Sequence, residues 1–169
     1  MDHFYSQISG MVSEAELDLF RHCIAKIPDG GRFVEIGLWF GHCTAFLEVE
    51  IVNSGKKIEL ISIDTFPCSG QEQMLRLIAL PFVQVIKGQS LEYKSPADVI
   101  WLDGDHTYEN VKKELDQFWP LINPGGILCG HDYADFDPYK GVFNAVNEFA
   151  EKIGQDVKKF GDYSWYFDA

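Results

Sequence analysis

Residues 33–41 constrain the fold of this chain more than any other segment does. An apolar run that contains Glu35 ends there in two glycines, Gly37 and Gly41, which lie four positions apart. The pattern of residues 42–52, which follow directly, predicts a helix. A buried strand, a tight glycine turn and a helix N-terminus together form a place where a nucleotide-like ligand can approach backbone N–H groups. The segment therefore predicts the first strand, turn and helix of an α/β sheet.

The spacing of this motif narrows the class of ligand. It reads E-x-G-x-x-x-G, and Trp39 occupies the position of the second glycine in the dinucleotide fingerprint G-x-G-x-x-G. That glycine lets a pyrophosphate approach the backbone, so the indole of Trp39 argues against a dinucleotide. An adenosine ligand without a pyrophosphate is still compatible with the turn, and S-adenosylmethionine is the commonest ligand of that kind.

Strand-like and helix-like segments alternate along the chain and indicate its fold class. Strands are predicted at residues 32–36, 58–63, 83–86, 97–102 and 127–130, and a hairpin at 156–160 and 163–167. Helices are predicted after the capping-box pattern that begins at Ser13, and at residues 42–52, 71–80, 108–121 and 141–153. Five strand–helix units and a terminal hairpin predict a mostly parallel, doubly wound α/β sheet with helices on both faces.

The length, composition and charge of the chain bound what it can be. Its 169 residues, of which 46% are hydrophobic, fit one globular domain (residues 1–169) with an N-terminal helical segment at residues 1–30. Fourteen basic residues (Lys+Arg 14) against Asp+Glu 26 give a net charge of −12. We therefore expect neither nucleic acid nor an anionic membrane as the main partner, because both require a basic surface.

The cysteines and the N-terminus bear on the compartment. The four cysteines are scattered without a C-x-x-C pair, and Cys43 and Cys129 lie inside a predicted helix and a predicted strand. We expect them to be buried free thiols rather than metal ligands or disulfides. No secretory signal pattern and no apolar stretch of transmembrane length is present in the sequence. A cytoplasmic location is the resulting expectation.

Polar residues follow strand after strand at the predicted carboxyl ends. The ends of the five predicted parallel strands carry Glu35 and Gly37, then Asp64, then Gly88-Gln89-Ser90, then Asp103-Gly104-Asp105-His106, and finally His131-Asp132-Tyr133. In a doubly wound sheet, ligands bind beyond the carboxyl ends of the strands. We therefore expect these residues to converge on one edge and to form one site.

Asp64 has two interpretations. An acidic residue that ends the second strand can accept hydrogen bonds from the two hydroxyls of a ribose. The alternative is that Asp64 only caps its loop or the next helix. The glycine turn beside it favours the ribose interpretation, because both features suit the same ligand.

A metal site is a second hypothesis for this edge. Asp103, His131 and Asp132 offer oxygen and nitrogen ligands at the ends of two strands that we expect to be neighbours, which suits Mg²⁺ or Mn²⁺. The alternative is a hydrogen-bonded cluster of loop residues. One imidazole among the ligands suits Mg²⁺ less well than an all-carboxylate site would.

Asp105 and His106 are the candidate general bases for a substrate hydroxyl. The ordinary pKa of a histidine, about 6.5, suits this role better than that of a carboxylic acid. The structural alternative is N-capping of the helix that begins near residue 107 or 108, for which Asp105 is well placed.

With these residues, the chain resembles the class I S-adenosylmethionine-dependent methyltransferases. The resemblance extends from about Arg32 to the final hairpin. It is greatest with a bacterial branch similar to the sugar O-methyltransferases of macrolide and aminocoumarin biosynthesis, and extends more distantly to catechol O-methyltransferase. The motifs that carry it are Val34-Glu35-Ile36-Gly37 with Gly41, Ile63-Asp64, Leu102-Asp103-Gly104-Asp105-His106-Thr107-Tyr108, and Pro124-Gly125-Gly126 leading to Gly130-His131-Asp132-Tyr133.

The resemblance implies a Rossmann-like sheet of seven strands with an antiparallel last strand. It also implies methyl transfer from S-adenosylmethionine to a small-molecule acceptor, with a hydroxyl oxygen as the favoured atom. The cofactor residues that it implies are Glu35, Gly37 and Gly41 at the methionine end, Asp64 at the ribose, Gln89 and Ser90 at the adenine, and Asp103.

The same resemblance implies the metal ligands and the base. In metal-dependent relatives, the positions that match Asp103, His131 and Asp132 bind the ion, and the position that matches Asp105 or His106 supplies the base. His131 departs from the family pattern, because those relatives carry a carboxylate there. This departure puts a requirement for Mg²⁺ in doubt.

The acceptor side and the competing functions stay open at this point. Only one clear helix precedes the first strand, where larger relatives build a substrate lid, so the acceptor pocket is either open or completed by the second subunit of a homodimer. A non-catalytic module that binds S-adenosylmethionine, S-adenosylhomocysteine or a protein partner on the same fold is the main alternative. An NAD-linked oxidoreductase is a further one, and Trp39 argues against it.

Overall fold

A computed structural model describes residues 1–71 and 83–169 of the protein. Within these residues the helices are α1 (Glu14–Lys26), α2 (His42–Ser54), α3 (Tyr108–Phe118) and α4 (Lys140–Ile153). The strands are β1 (Arg32–Ile36), β2 (Glu59–Asp64), β3 (Val83–Lys87), β4 (Ala97–Leu102), β5 (Ile122–Gly130), β6 (Lys158–Phe160) and β7 (Ser164–Asp168). Beyond its first residue, the helix predicted at residues 71–80 lies outside the described part of the chain.

The strands form one seven-stranded sheet in the order β3-β2-β1-β4-β5-β7-β6. Every pairing from β3 to β5 is parallel, whereas β7 pairs antiparallel with both β5 and β6. The strand order reverses between β1 and β4, and this reversal opens a crevice at their carboxyl ends. The predicted Rossmann-like sheet with an antiparallel C-terminal hairpin is therefore confirmed.

Two apolar cores lie on opposite faces of this sheet. Successive side chains of a strand point to opposite faces, so Phe33 of β1 packs with the core of α1 and α2, and Val34 packs with the core of α3 and α4. The predicted layers of helices on both faces are present. Glu35 follows the direction of Phe33 and is completely buried, so a carboxyl group lies inside the α1–α2 side of the protein.

The N-terminus of α1 begins where the capping-box pattern predicts. The backbone N–H of Ser13 donates to Oε2 of Glu16 over 3.0 Å, and its hydroxyl donates to the same oxygen over 2.8 Å. These bonds use backbone and side-chain donors that would otherwise be unpaired at the start of a helix. Glu16 is only 1% exposed, although a capping-box glutamate usually lies at the surface.

Most predicted boundaries lie within two residues of the observed ones, and two differ by more than that for physical reasons. Strand β5 begins at Ile122 rather than at residue 127. Ile122 already pairs with Ala97 of β4, and pairing resumes with Val99 and Ile127 after residues 123–126, which bulge out of the strand. The helix predicted at residues 108–121 ends at Phe118 and continues as a 3₁₀ turn, Trp119–Leu121, because Pro120 cannot donate a backbone hydrogen bond. Within the described residues, no helix is long and apolar enough to cross a membrane.

Candidate functional site

One cavity of about 480 Å³ lies at the carboxyl ends of the parallel strands. Most of the site residues predicted from the sequence line it: Gly37, Asp64, Gln89, Ser90, Asp103, Asp105, His106, His131 and Asp132. The strand ends therefore converge as expected from a parallel sheet. The cavity is large enough for a small organic ligand, since such sites usually have volumes of about 300–1,000 Å³.

The turn between β1 and α2 requires glycine, because the end of β1 lies very close to the end of β4 there. Gly37 has a φ of +85°, and a Cβ atom on it would lie 2.0 Å from the carbonyl oxygen of Asp103. A side chain at this position would therefore push apart the ends of β1 and β4. Gly41 is the N-cap residue of α2 with a φ of +88°, a left-handed conformation that favours glycine.

Asp64 holds two loops of the cavity wall. Its Oδ2 accepts hydrogen bonds from the backbone N–H groups of Leu38 (2.8 Å) and Trp39 (3.2 Å), and its Oδ1 accepts one from Phe66 (2.6 Å). Trp39 and Phe66 both have positive φ values, +52° and +55°, which bulky residues rarely adopt. The carboxylate therefore stabilises two strained residues by bonding to their N–H groups.

This arrangement combines the two interpretations of Asp64. A carboxylate offers about four acceptor positions, and three are used by backbone groups of the protein, so about one position is left for a ligand hydroxyl. The loop-capping interpretation describes the contacts that are present. Ribose binding by Asp64 stays a prediction, and the cavity wall that contains Asp64 is consistent with it.

Glu35 lies beneath this cavity rather than in its lining. Its Oε2 accepts hydrogen bonds from the hydroxyls of Thr44 (2.8 Å) and Ser62 (2.7 Å), while its Oε1 is buried without a hydrogen-bond partner. Burial raises the pKa of this carboxyl group to about 8. The hydrogen bonds from the two hydroxyls lower this pKa, but by less than burial raises it. Glu35 is therefore mainly protonated at neutral pH.

Gln89 and Ser90 border the cavity at the end of β3. Gln89 is exposed and precedes a short 3₁₀ turn, Ser90–Glu92. The hydroxyl of Ser90 donates to the buried carboxyl of Glu114 on α3. The position of both residues agrees with the adenine end proposed from the resemblance, and contact with a ligand stays a prediction.

A charged cluster fills the other end of the cavity. His131, Asp103 and Asp132 each bring one ligand atom within 4.8 Å of the other two. The Nδ1 of His131 lies 3.1 Å from Oδ1 of Asp132 and 4.0 Å from Oδ1 of Asp103. Asp132 has a φ of +60°, so its carboxylate is held there by a strained backbone.

The donor set of this cluster fits a divalent cation. One imidazole nitrogen and two carboxylates that converge in a cavity are a donor set found with Mn²⁺, Fe²⁺ or Zn²⁺, whereas Mg²⁺ prefers oxygen donors alone. The remaining coordination positions would face the cavity, where a substrate oxygen or water could bind. The cluster is therefore able to hold an ion, and its occupation by one stays a prediction.

His106 lies against the same carboxylates. Its Nε2 is 2.8 Å from Oδ2 of Asp132 and 3.9 Å from Oδ1 of Asp103. Contacts with Asp103 and Asp132 raise the pKa of His106 to about 10. In this arrangement His106 carries a proton at neutral pH, and it must lose that proton before it can act as a base.

The pKa values of His131 and Asp132 are shifted as well. Burial lowers the pKa of His131, but contacts with Asp132 and Glu16 outweigh this effect and raise it to about 10. Burial raises the pKa of Asp132, but the two imidazoles outweigh it and hold this pKa at about 2. Two imidazolium groups and their carboxylates therefore neutralise most of each other's charge.

Asp105 lies two residues before the N-cap of α3, so it is not the N-cap residue that the alternative interpretation expected. It is exposed, and its Oδ1 accepts a hydrogen bond from the backbone N–H of Thr107 over 2.9 Å. Thr107 is the N-cap residue of α3, so Asp105 stabilises the turn that precedes the helix. Asp105 also borders the cavity, and its role as a base stays a prediction.

Several cavity residues were not predicted from the sequence. Gly10, Met11 and Val12, from the segment before α1, contribute to the lining. His42, the first residue of α2, also lines the cavity and was not among the predicted site residues. Its Nδ1 lies 3.0 Å from the carbonyl oxygen of Ile8 and holds the N-terminal segment there. The only available signal was the position of His42 directly after the glycine turn.

Comparison with known proteins agrees with this geometry. A family model described as a methyltransferase domain matches residues 34–133, which is more than half of the chain. A curated relative, uncharacterized protein R132 of Acanthamoeba polyphaga mimivirus, is 31% identical in an alignment of 154 residues that covers 82% of this chain and 65% of the relative. The chain thus spans slightly less than two thirds of the length of that relative.

Solved structures share the fold at low sequence identity. The O-methyltransferase NovP has a TM-score of 0.70 at 18% identity, with 94% of this chain and 81% of NovP covered. A protein described as an rRNA methylase from Clostridium thermocellum has a TM-score of 0.68 at 16% identity, with 94% and 99% covered. Together with the family match over β1 to the end of β5, these likenesses confirm the resemblance seen in the motifs. The chain therefore belongs to the methyltransferase-domain family whose model matches it.

Proposed function

We propose that the protein transfers a methyl group from S-adenosylmethionine to a hydroxyl oxygen of a small molecule. The observation that carries this proposal is that one cavity contains both the glycine turn with Asp64 and, at its other end, the cluster of Asp103, His131 and Asp132. In-line transfer requires the acceptor oxygen to lie next to the methyl carbon, on the line that continues the bond from sulfur to that carbon. The two ends of the cavity support the proposal that the donor and the acceptor bind next to each other.

The turn end of the cavity suits an adenosine ligand. Ile36, Leu38 and Ile63 supply apolar surface beside the carboxylate of Asp64. The sulfonium of S-adenosylmethionine is positive, and a carboxylate close to it favours binding of this charge. The bulk of Trp39, which is 47% exposed in the cavity wall, opposes a ligand with a pyrophosphate at the turn.

The charged end of the cavity suits a hydroxyl acceptor. Asp103, His131 and Asp132 would hold a divalent cation, which when bound supplies a Lewis acid that lowers the pKa of a nearby hydroxyl. His106 lies next to this cluster and can take up the hydroxyl proton once its own proton has left. The two carboxylates also fix His106 in place, so its ring is held toward the cavity.

The charge of the protein favours a small acceptor over a nucleic acid. The structural likeness to a protein described as an rRNA methylase concerns the fold, at 16% identity. A net charge of −12 opposes the binding of a polyanion, since phosphate contacts need lysine and arginine side chains.

A methyl-transfer assay tests this proposal. S-adenosylhomocysteine release would be measured with a panel of hydroxylated sugars, phenols and amines in Mn²⁺ buffer, for the wild type, for Asp103→Asn and for the control Asp116→Asn. Asp116 lies on the surface of α3, where it pairs with Lys152 outside the cavity. We expect turnover that Asp103→Asn reduces and Asp116→Asn leaves unchanged.

Two results would speak against the proposal. Methylation of amines alone would contradict the choice of oxygen. Binding of S-adenosylmethionine without turnover on any acceptor would favour the alternative, a non-catalytic module that keeps the fold and the cofactor site.

A further inference from the structure

Glu16 has an unusual position for a residue of the first turn of a helix. Its carboxylate is buried, and both oxygens are occupied. Oε2 accepts the two bonds from Ser13 that form the capping box. Oε1 faces the other way, toward the C-terminal hairpin and the charged cluster. A capping box needs only one of the two oxygens, so the second set of contacts requires another explanation.

The contacts of Oε1 come from distant parts of the chain. The backbone N–H of Tyr163 donates to it over 2.8 Å, and the Nε2 of His131 lies 3.2 Å away. The hydroxyl of Ser164 lies at 3.5 Å. Burial of a carboxylate is costly unless its oxygens are bonded, and these partners satisfy that requirement. The carboxylate is thus built into the protein between α1 and His131.

The surrounding backbone leaves room for this side chain. Gly161, in the turn between β6 and β7, has a φ of +63°, and a Cβ atom on it would lie 2.4 Å from Cγ of Glu16. A residue larger than glycine at this position would displace the Glu16 side chain. The hairpin turn and α1 therefore meet closely at the point where Oε1 contacts His131.

The contact with Glu16 determines which nitrogen of His131 faces the cavity cluster. Nε2 is directed at Glu16, while Nδ1 is the nitrogen near Asp103 and Asp132. A metal ion displaces the Nδ1 proton of a histidine that it binds, and a histidine that then still donates Nε2–H to a carboxylate presents the lone pair of Nδ1 to the ion. We propose that Glu16 is a positioning residue that orients His131 so that Nδ1, with Asp103 and Asp132, can bind a divalent cation.

This inference rests on the cation site of the proposed function but not on methyl transfer, so binding of the metal alone tests it. Mn²⁺ affinity would be measured by electron paramagnetic resonance in the absence of S-adenosylmethionine. Loss of an outer partner of a metal-bound histidine typically weakens metal binding by about 10–100-fold, and we expect this loss for Glu16→Leu. Glu16→Gln keeps an acceptor oxygen and should lose less affinity.

Ser13→Ala is the matched control. It removes a hydroxyl contact to Oε2 and leaves Oε1 with His131, so it should lower the thermal stability without a change in Mn²⁺ affinity. An equal loss of affinity in Ser13→Ala and Glu16→Gln would show that only the folding of α1 matters, and would overturn the proposal. A wild-type protein that binds no Mn²⁺ would overturn it too, while leaving S-adenosylmethionine binding and turnover as independent tests of the proposed function.

A spectroscopic measurement on the wild type avoids any folding defect of the variants. In the Zn²⁺-loaded protein, long-range ¹H–¹⁵N correlation spectra distinguish the metal-bound nitrogen of His131 from the protonated one. We expect the metal on Nδ1 and the proton on Nε2. A spectrum with the metal on Nε2 would contradict the orientation assigned to Glu16.

Discussion

The buried carboxyl group of Glu35 should make the stability of this protein depend on pH in an identifiable way. The pKa of Glu35 is about 8 in the folded protein, against an ordinary value of 4.5. Below pH 4.5 the group is protonated in both the folded and the unfolded chain, so it has no effect. Between pH 4.5 and 8 only the unfolded chain ionises, and stability must fall as the pH rises. Above pH 8 both states are ionised and the penalty stays constant.

The size of this penalty follows from the shift. Each pKa unit corresponds to about 1.36 kcal/mol, so the penalty is about 1 kcal/mol at pH 5 and about 3 kcal/mol at pH 7. Glu35→Gln removes the ionisable group but keeps a carbonyl oxygen for the hydroxyls of Thr44 and Ser62. The variant should therefore gain stability over the wild type by about 2 kcal/mol between pH 5 and pH 7.

Urea unfolding at pH 5, 6, 7 and 8.5 would measure this difference. Both proteins contain the other titrating groups, so their contributions largely cancel when the two curves are subtracted. Glu109→Gln, an exposed position in the first turn of α3, is the control and should show no such gain, because water solvates its carboxylate in both states. A flat difference for Glu35→Gln, or one that favours the wild type as the pH rises, would refute the reasoning and show that Glu35 is ionised in the folded protein.

Three further predictions concern the cavity. Gly37→Ala should destabilise the protein by about 2–4 kcal/mol, measured by thermal unfolding, because its Cβ would clash with the backbone of Asp103 in a left-handed conformation; a smaller loss would show that the strand ends can separate. Asp64→Ala should weaken S-adenosylmethionine binding at least tenfold in a calorimetric titration, because a hydrogen bond to a charged group contributes about 1.5–3 kcal/mol. Unchanged binding would contradict the assignment of Asp64 to the ribose. His106→Gln should leave that affinity unchanged and lower turnover about 10²–10⁴-fold if His106 is the base, whereas full turnover would assign the base elsewhere.

The fold could be predicted from the sequence because its signals are local. Strands β1 and β4 are apolar runs between turn residues, and their observed bounds are the predicted ones. The convergence of Asp64, Asp103 and His131 followed from topology, since the ends of parallel strands meet at one edge. The start of β5 was missed because a four-residue irregularity in a strand has the same composition as a turn.

The chemistry of the site depends on contacts that the sequence does not encode locally. Glu16 and His131 are 115 residues apart, and their contact requires the hairpin to pack against α1. The raised pKa of Glu35 depends on its complete burial beneath α2, which alternation along β1 alone does not show. The raised pKa of His106 likewise depends on the distance to Asp132, which lies at the end of a different strand.

Calorimetric titration of the full chain with S-adenosylmethionine, in Mn²⁺ buffer and again in EDTA, tests the central claim most directly. We expect saturable binding at one site, with a dissociation constant between about 1 μM and 1 mM, and no heat from NADH titrated in the same way. Binding in EDTA as well would show that the glycine turn and Asp64 hold the cofactor without the metal. Absence of binding in both buffers would contradict the assignment of the cavity to S-adenosylmethionine.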